Sequence, residues 1–126
     1  MKTRVKPGLR ALRTPRLGAS SIARLRAGLG LTQEQFARLL GVAWATVSRW
    51  ERGRALPDVK TAAKLGRLAE IVELIGEAIR AEDVATFLTT PHPELRGHVP
   101  GELLENSFGF EAVKDLVLAA QSGAYR

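Results

Sequence analysis

One face of a short predicted helix near the middle of the chain carries side chains suited to reading DNA bases. In a helix that follows Gly41, spacings of three and four residues place them opposite the apolar Val47 and Trp50. Arginine has a planar fork of N–H donors that matches N7 and O6 of guanine in the major groove. Alternatively, Arg49 is an exposed arginine that contacts only phosphate or water. This face therefore predicts a base-reading surface, which consists of Trp44, Ala45, Ser48 and Arg49.

The chain lacks the residues that catalysis or metal binding would need. His92 and His98 are the only histidines, the chain has no cysteine, and a metal site needs three or four suitable ligands. No serine lies in a nucleophile motif, and no glycine cluster forms a loop that could hold a phosphate. We therefore expect no enzymatic activity, no metal and no cofactor.

Two short helices joined by a glycine turn are needed to present the base-reading surface. Thr32 and Gln35 have the spacing of a capping box, in which each side chain satisfies a free N–H at the start of a helix. Gly41 supplies the positive φ that a sharp turn after this helix requires. The small Ala37 lets the second helix cross closely. Residues 32–53 therefore predict a complete helix-turn-helix.

Further helices are predicted on both sides of this motif. The first begins near Ser20 or Ser21, either of which can cap it, and a long helix begins after Asp58, which can cap that helix. The apolar stripe of the long helix could dimerise as a short coiled coil, or helices of the same chain could cover it. No segment shows sustained alternation of apolar and polar residues, so the predicted fold class is all-α. The stripe comprises Leu65, Leu68, Val72, Ile75 and Ile79.

Charge is distributed unevenly along the chain. Residues 1–18 contain six basic residues and no acidic one, whereas residues 19–81 contain ten basic and six acidic residues. Residues 82–126 contain three basic and seven acidic residues. The asymmetry indicates a polyanionic partner for the front of the chain and a different partner for the back. We predict a basic arm over 1–18, which either follows DNA or is a solvated tail, a DNA-binding domain over 19–81 and a second helical domain over 82–126.

The composition indicates a folded protein that does not enter membranes. A hydrophobic content of 45% is enough for a packed core and too high for a disordered chain. A membrane helix needs about 20 apolar residues in a row, and no apolar run in this sequence approaches that length. The basic N-terminus is not followed by the apolar core of a signal peptide. We therefore expect a cytoplasmic location.

The helix-turn-helix has the residues of a known family at the matching positions. They are Thr32-Gln33, Gly41, the run 47–53 and Pro57. With them, residues 20–58 resemble the Xre family, the repressor-type helix-turn-helix proteins of bacteria and phages. Position 43 departs from the family pattern, because it is Ala where the family usually has a polar capping residue.

The resemblance implies roles for individual residues. Trp44, Ala45, Ser48 and Arg49 would face the bases, and Arg26 and Glu51 would form a buried ion pair between the first and third helices. A homodimer on double-stranded operator DNA is expected, because one such unit reads only a half-site. The expected phosphate contacts are Gln33, Arg52 and Arg54.

The C-terminal segment resembles a second family. Its pattern is His92-Pro93-Glu94-Leu95, Gly97 to Pro100, Leu103-Leu104, a helix over 110–116 and Gly123-Ala124-Tyr125. This order is similar to the small toxin-binding domain of Xre/MbcA/ParS-type antitoxins. The resemblance implies a partner toxin with a RES domain, which consumes NAD⁺ or uses it to modify a target. The expected toxin contacts are Leu103, Leu104, Tyr125 and Arg126, although the last two could instead belong to a frayed terminus.

Together these patterns predict an antitoxin of a type II toxin–antitoxin system. Its acidic half would block the toxin sterically, and its helix-turn-helix would bind operator DNA and regulate its own operon. The alternative is a stand-alone Xre-type repressor whose C-terminal half dimerises or senses a ligand.

Overall fold

The computed structural model describes residues 18–76 and 79–122, and within these ranges the chain is helical, with no β-strand. The predicted all-α class is confirmed. No helix in the described ranges is long and apolar enough to span a membrane. The helices are α1 (Ala19–Leu29), α2 (Gln33–Leu40), α3 (Trp44–Glu51), α4 (Val59–Ile75), α5 (Ala81–Leu88), a 3₁₀ helix (Pro93–Leu95), α6 (Pro100–Leu103) and α7 (Ser107–Gln121).

Local capping fixes the starts of α2, α4 and α7 and the glycine-capped ends of α1 and α2. The capping box at α2 is confirmed, since Thr32 Oγ1 accepts from Gln35 N–H at 3.1 Å and Gln35 Oε1 accepts from Thr32 N–H at 2.9 Å. The turn at Gly41 has the expected positive φ of 74°. The expectation of a serine cap on α1 is wrong. The helix begins one residue earlier, at Ala19, and its N-cap is Gly18, which has no side chain to offer.

Helix α4 is the central element, and its apolar stripe is covered by the same chain. Leu65, Leu68 and Ile75 are at most 3% exposed. Two positions of the predicted stripe are corrected: Val72 is half-buried while Ile71 is fully buried, and Ile79 lies beyond the end of the helix. Because helices α2 and α7 both pack on α4, its buried face is wider than a single three-four stripe.

A single hydrophobic core underlies both halves of the chain. It runs from Ile22 in α1 to Val117 in α7, and it crosses the expected domain boundary between residues 81 and 82. Helix α1 packs on α5, and α2 packs on α6. The helix-turn-helix and the C-terminal helices therefore share their interior.

Polar contacts from α4 fasten the two halves together. Lys64 is 6% exposed, and its Nζ donates to Leu40 O at 3.3 Å and to Glu105 Oε2 at 2.8 Å. One turn later, Arg67 donates to the carbonyl oxygens of Leu104 at 3.0 Å and Glu105 at 3.2 Å. The hydrogen bond from Lys64 holds the pKa of the Glu105 carboxyl below its usual value.

Candidate nucleic-acid interface and partner-binding surface

Helix α3 presents an exposed edge that carries an aromatic ring and a guanidinium. Trp44, the first residue of the helix, is 53% exposed. Arg49 is also exposed, and its one described contact is a 3.5 Å approach from a guanidinium nitrogen to Thr46 Oγ1. A contact that long is weak, so the guanidinium can turn toward a ligand at little cost.

The other two residues expected to face the bases are less accessible. Ala45 is half-buried, and Ser48 is only 8% exposed. Both α1 and α2 pack against α3, and together they cover more of it than the apolar Val47 and Trp50 alone would require. The structure therefore moves Ser48 from the expected reading face to the edge of the core, and it leaves Trp44 and Arg49 as the prominent side chains of this surface.

Two arginines flank the end of α3. Arg52 and Arg54 are both exposed and stand on either side of Gly53, which has a φ of 72°. Arg54 N–H donates to Arg49 O at 2.8 Å, so the turn folds back on the helix that it ends. The glycine turn thus places two exposed cations at the end of α3.

Glu51 is the centre of a polar cluster that joins α1, α2 and α3. Arg26 donates to it through two nitrogens, Nε to Oε2 at 2.7 Å and a terminal nitrogen to Oε1 at 2.9 Å. A third nitrogen of Arg26 donates to Leu31 O at 3.0 Å. The side chain of Glu51 is 8% exposed, whereas that of Arg26 is 23% exposed. The hydrogen bonds from Arg26 lower the pKa of Glu51 and raise that of Arg26.

Gln33 belongs to the same cluster. Its Nε2 donates to Glu51 Oε1 at 2.9 Å, so its side-chain amide is engaged within the protein. The amide nitrogen of Gln33 carries two N–H groups, so the contact with Glu51 leaves one of them for the expected phosphate contact. In this structure its side chain orients Glu51.

On the C-terminal side, the two leucines expected to touch a partner face inward. Leu104 is 1% exposed and belongs to the core, and Leu103 is half-buried and packs against it. A fully buried side chain cannot contact a protein partner, so Leu104 supports the surface from within. Tyr125 and Arg126, the other two expected contacts, lie outside the described residues.

The exposed side of α7 offers a different contact surface, which sequence reasoning missed. Phe108 is 88% exposed at the start of the helix. Ala112 and Asp115 follow on the same side of the helix and are exposed as well. We refer to Phe108, Ala112 and Asp115 as the α7 face. The available signal was a phenylalanine two residues after Asn106, the N-cap of α7, and two residues before Phe110, the first buried residue of that helix.

The histidines of the loop before α6 have structural contacts. His92 Nε2 lies 3.1 Å from Phe87 O, and the two rings have centroids 4.7 Å apart. The N–H of His92 donates to His98 O at 3.2 Å, which closes the loop. Among the described residues, no group of three or more potential metal ligands comes together.

Lys64 is the second feature that sequence reasoning missed. It lies four residues before Leu68, in register with the buried positions 68, 71 and 75, so a cation occupies a core position of α4. The signal was present in that spacing. It becomes informative only when Glu105, 41 residues away, is known to receive the ammonium.

Two protein families match the chain, one over its N-terminal half and the other over its C-terminal half. Residues 22–71 match the helix-turn-helix family, and residues 69–123 match the family described as the antitoxin Xre/MbcA/ParS C-terminal toxin-binding domain. The two matches meet within α4, the helix that both halves share.

Individual proteins are similar to the chain at low identity. The mycobacterial cidal antitoxin MbcA of Mycobacterium tuberculosis, like that of Mycobacterium bovis, is 22% identical over 107 residues, which is 85% of this chain and 94% of MbcA. The HTH-type transcriptional activator BcrR of Enterococcus faecalis is 30% identical over 69 residues, which is 55% of this chain and 33% of BcrR. The chain thus spans about a third of that activator.

One solved structure has the same fold. A chain of the crystal structure of the M. tuberculosis MbcT–MbcA toxin–antitoxin complex superposes with a TM-score of 0.72 at 22% identity. The superposition covers 90% of this chain and all of the other.

Proposed function

Because the chain belongs to the proteins that join a helix-turn-helix to an antitoxin Xre/MbcA/ParS C-terminal toxin-binding domain, we propose that it is an antitoxin with two binding surfaces. One surface, on α3, binds operator DNA, and the other, on the C-terminal helices, binds a protein toxin. The observation that carries the proposal is the match of residues 69–123 to the toxin-binding domain, directly after a helix-turn-helix.

For DNA, we propose that Arg49 reads a base and that Arg52 and Arg54 hold the phosphates. Arg49 is exposed and only weakly engaged, so its fork is available for N7 and O6 of guanine. The Arg26–Glu51–Gln33 cluster fixes α3 against α1 and α2, which keeps the reading edge at a constant angle. Two copies on a two-fold operator would read two half-sites and repress the operon that encodes the pair.

For the toxin, we propose a RES-domain protein that consumes NAD⁺ and is inhibited sterically. The C-terminal segment is acidic and exposes an aromatic anchor, Phe108, at the start of α7. Exposed aromatic side chains are frequent centres of protein–protein binding energy. Steric blocking of the toxin's cleft requires no chemical reaction by this chain, only a stable interface.

The toxin proposal is tested by capture from the host lysate. The tagged full-length chain is recovered after nuclease treatment, and proteins retained in stoichiometric amount are identified by mass spectrometry. Removal of residues 82–126 is unsuitable as a control, because it would strip α4 of the core that covers it. The informative variant is Phe108→Glu, which changes an exposed residue, with Ser20→Glu as a matched charge at an exposed position of α1.

We expect a small partner protein that wild type and Ser20→Glu retain and that Phe108→Glu releases. Retention of the partner by all three would move the interface away from the α7 face. Recovery of the chain without any stoichiometric partner would refute the antitoxin function. The alternative, a stand-alone regulator, is favoured by the 30% identity over 69 residues to the transcriptional activator BcrR. It would then be tested by operator mapping.

The DNA proposal is tested by Arg49→Ala in binding assays on the operator and on random duplex. Loss of a base contact should weaken operator binding by about 1–3 kcal/mol and leave random-duplex binding nearly unchanged. Equal losses on both DNAs would show that Arg49 contacts only the backbone.

A further inference from the structure

Two large apolar side chains lie in solvent immediately after the helix-turn-helix. Leu56, in the loop before α4, is 78% exposed, and Val59, the first residue of α4, is 89% exposed. The same side of α4 continues with exposed Ala63 and Gly66. A side chain added at Gly66 would meet open space, so another helix could approach the backbone there. We refer to Leu56, Val59, Ala63 and Gly66 as the α4 face.

The charges beside the α4 face are self-complementary. Lys60 lies exposed at one edge of the face, near the start of α4, and the exposed Glu70 and Glu73 continue the line of the face toward the other end of the helix. If a second copy packs antiparallel about a two-fold axis between Ala63 and Gly66, Lys60 of each copy comes beside Glu70 of the other. The two-fold axis generates this contact twice. The two helix dipoles are then antiparallel, which is their favourable arrangement.

Glu70 remains available for that contact. Within its own chain it forms an ion pair with Lys114, with Nζ 3.4 Å from Oε2, and its side chain is still 52% exposed. A parallel pairing would instead place Lys60 beside Lys60 and Glu70 beside Glu70, which like charges disfavour.

We propose that the α4 face is the surface through which two copies of this chain associate. The proposal rests on the proposed function, which needs two recognition helices on one operator, and it adds the surface that joins them. The coiled-coil stripe is unavailable for this purpose, because Leu65 and Leu68 are fully buried in their own chain. The α4 face is the part of the same helix that the fold leaves uncovered.

The size of the face sets the strength of the association. A stable protein–protein interface buries about 800 Å² on each partner. Helix α4 has 17 residues and spans about 25 Å, so its exposed side supplies only part of that area. The free chain should therefore be in a concentration-dependent monomer–dimer equilibrium, which two adjacent half-sites shift toward the dimer.

The first experiment measures mass by sedimentation equilibrium over a concentration series of the full-length chain without DNA. Wild type and the matched surface variant Ser20→Glu should dimerise reversibly, whereas Val59→Glu should remain monomeric. Because Val59 is 89% exposed, this substitution should leave the far-ultraviolet circular dichroism unchanged, and it should leave the melting temperature unchanged at concentrations where the wild type is monomeric. A wild-type chain that is monomeric throughout, or a Val59→Glu chain that dimerises equally well, would overturn the proposal.

The second experiment locates the contact by cross-linking. The natural chain has no cysteine, so single-cysteine variants report unique sites. Ala63→Cys should yield a covalent dimer with a short bis-maleimide, and Ala27→Cys, an exposed alanine on α1, should not. Equal yields at the two sites would contradict the assigned face. Lys60→Glu should weaken association, and the charge swap with Glu70→Lys should restore it.

The outcome for this surface is separable from the outcome for the proposed function. A monomeric chain that still captures a toxin and binds DNA would refute only the α4 face. A chain that dimerises through Ala63 but retains no partner would refute only the antitoxin function.

Discussion

Replacing Arg26 by methionine should destabilise the helix-turn-helix by leaving a buried carboxylate without its cation. Glu51 is 8% exposed and accepts two hydrogen bonds from Arg26, at 2.7 and 2.9 Å. Removing one partner of a buried ion pair costs about 3–5 kcal/mol. Since the Arg26 side chain is 23% exposed, water reaches part of the site, and we expect the lower end of that range, about 3 kcal/mol.

The assay is urea unfolding followed by tryptophan fluorescence, because Trp50 is 3% exposed and reports the core next to α3. The control is Arg24→Met, which makes the same change at an exposed position of α1. A loss of about 3 kcal/mol corresponds to a melting temperature lower by roughly 10 °C for a domain of this size. The double variant Arg26→Met with Glu51→Met should recover much of the loss, since it removes the stranded charge as well.

The pH dependence of the loss identifies its cause. In wild type, the folded protein lowers the pKa of Glu51, so the pair contributes stability above the ordinary pKa of glutamate and loses it as the pH falls through the lowered value. In Arg26→Met, burial without the cation raises that pKa, and Glu51 becomes neutral on acidification. The stability gap between the two proteins should therefore narrow from about pH 7 to about pH 4. A gap that is constant with pH, or equal for Arg24→Met, would refute the reasoning.

Three further outcomes are expected. Glu105→Gln should lower the melting temperature above the ordinary glutamate pKa and flatten its fall on acidification, because the folded protein lowers the Glu105 pKa; melting curves across pH test this. Gly109→Ala should unfold the C-terminal helices, because its Cβ would overlap the backbone of Leu103. Gly28→Ala in α1, where an added Cβ meets open space, should instead stabilise the chain by about 0.5–1 kcal/mol, and equal melting temperatures of the two variants would contradict this. Arg52→Ala should reduce the slope of log affinity against log salt by about 1 on any duplex, and an unchanged slope would exclude a phosphate contact.

The elements of this fold that were predictable from the sequence depend on neighbouring residues. The capping box of Thr32 and Gln35, the turn at Gly41 and the cap at Asp58 all act within one helical turn, so residue type and spacing determine them. Asn106 is another such case, since its side chain accepts from Gly109 N–H at 2.9 Å. The starts of α2, α4 and α7 follow from signals of this kind.

The site was less predictable because exposure depends on which helices cover a given face. A helical period places Ser48 beside Arg49, but only the packing of α1 and α2 shows that Ser48 is covered. The burial of Leu104 likewise could not be predicted from its neighbours in the sequence, because it depends on the helices that cover it in the core. The cation of Lys64 could be assigned to the core only after Glu105 was seen to receive it.

The shared core has a consequence for regulation. Helix α4 contributes buried residues to the interior of both halves, and Lys64 connects the end of α2 with Glu105 in the C-terminal segment. A partner that orders the C-terminal helices therefore also stabilises the framework that positions α3, since both belong to one cooperative unit. Such coupling is reciprocal, so we expect DNA that favours the folded α3 to strengthen partner binding by the same factor. A molecule with two independent domains on a linker would show no such effect, and the position of α4 distinguishes the two cases.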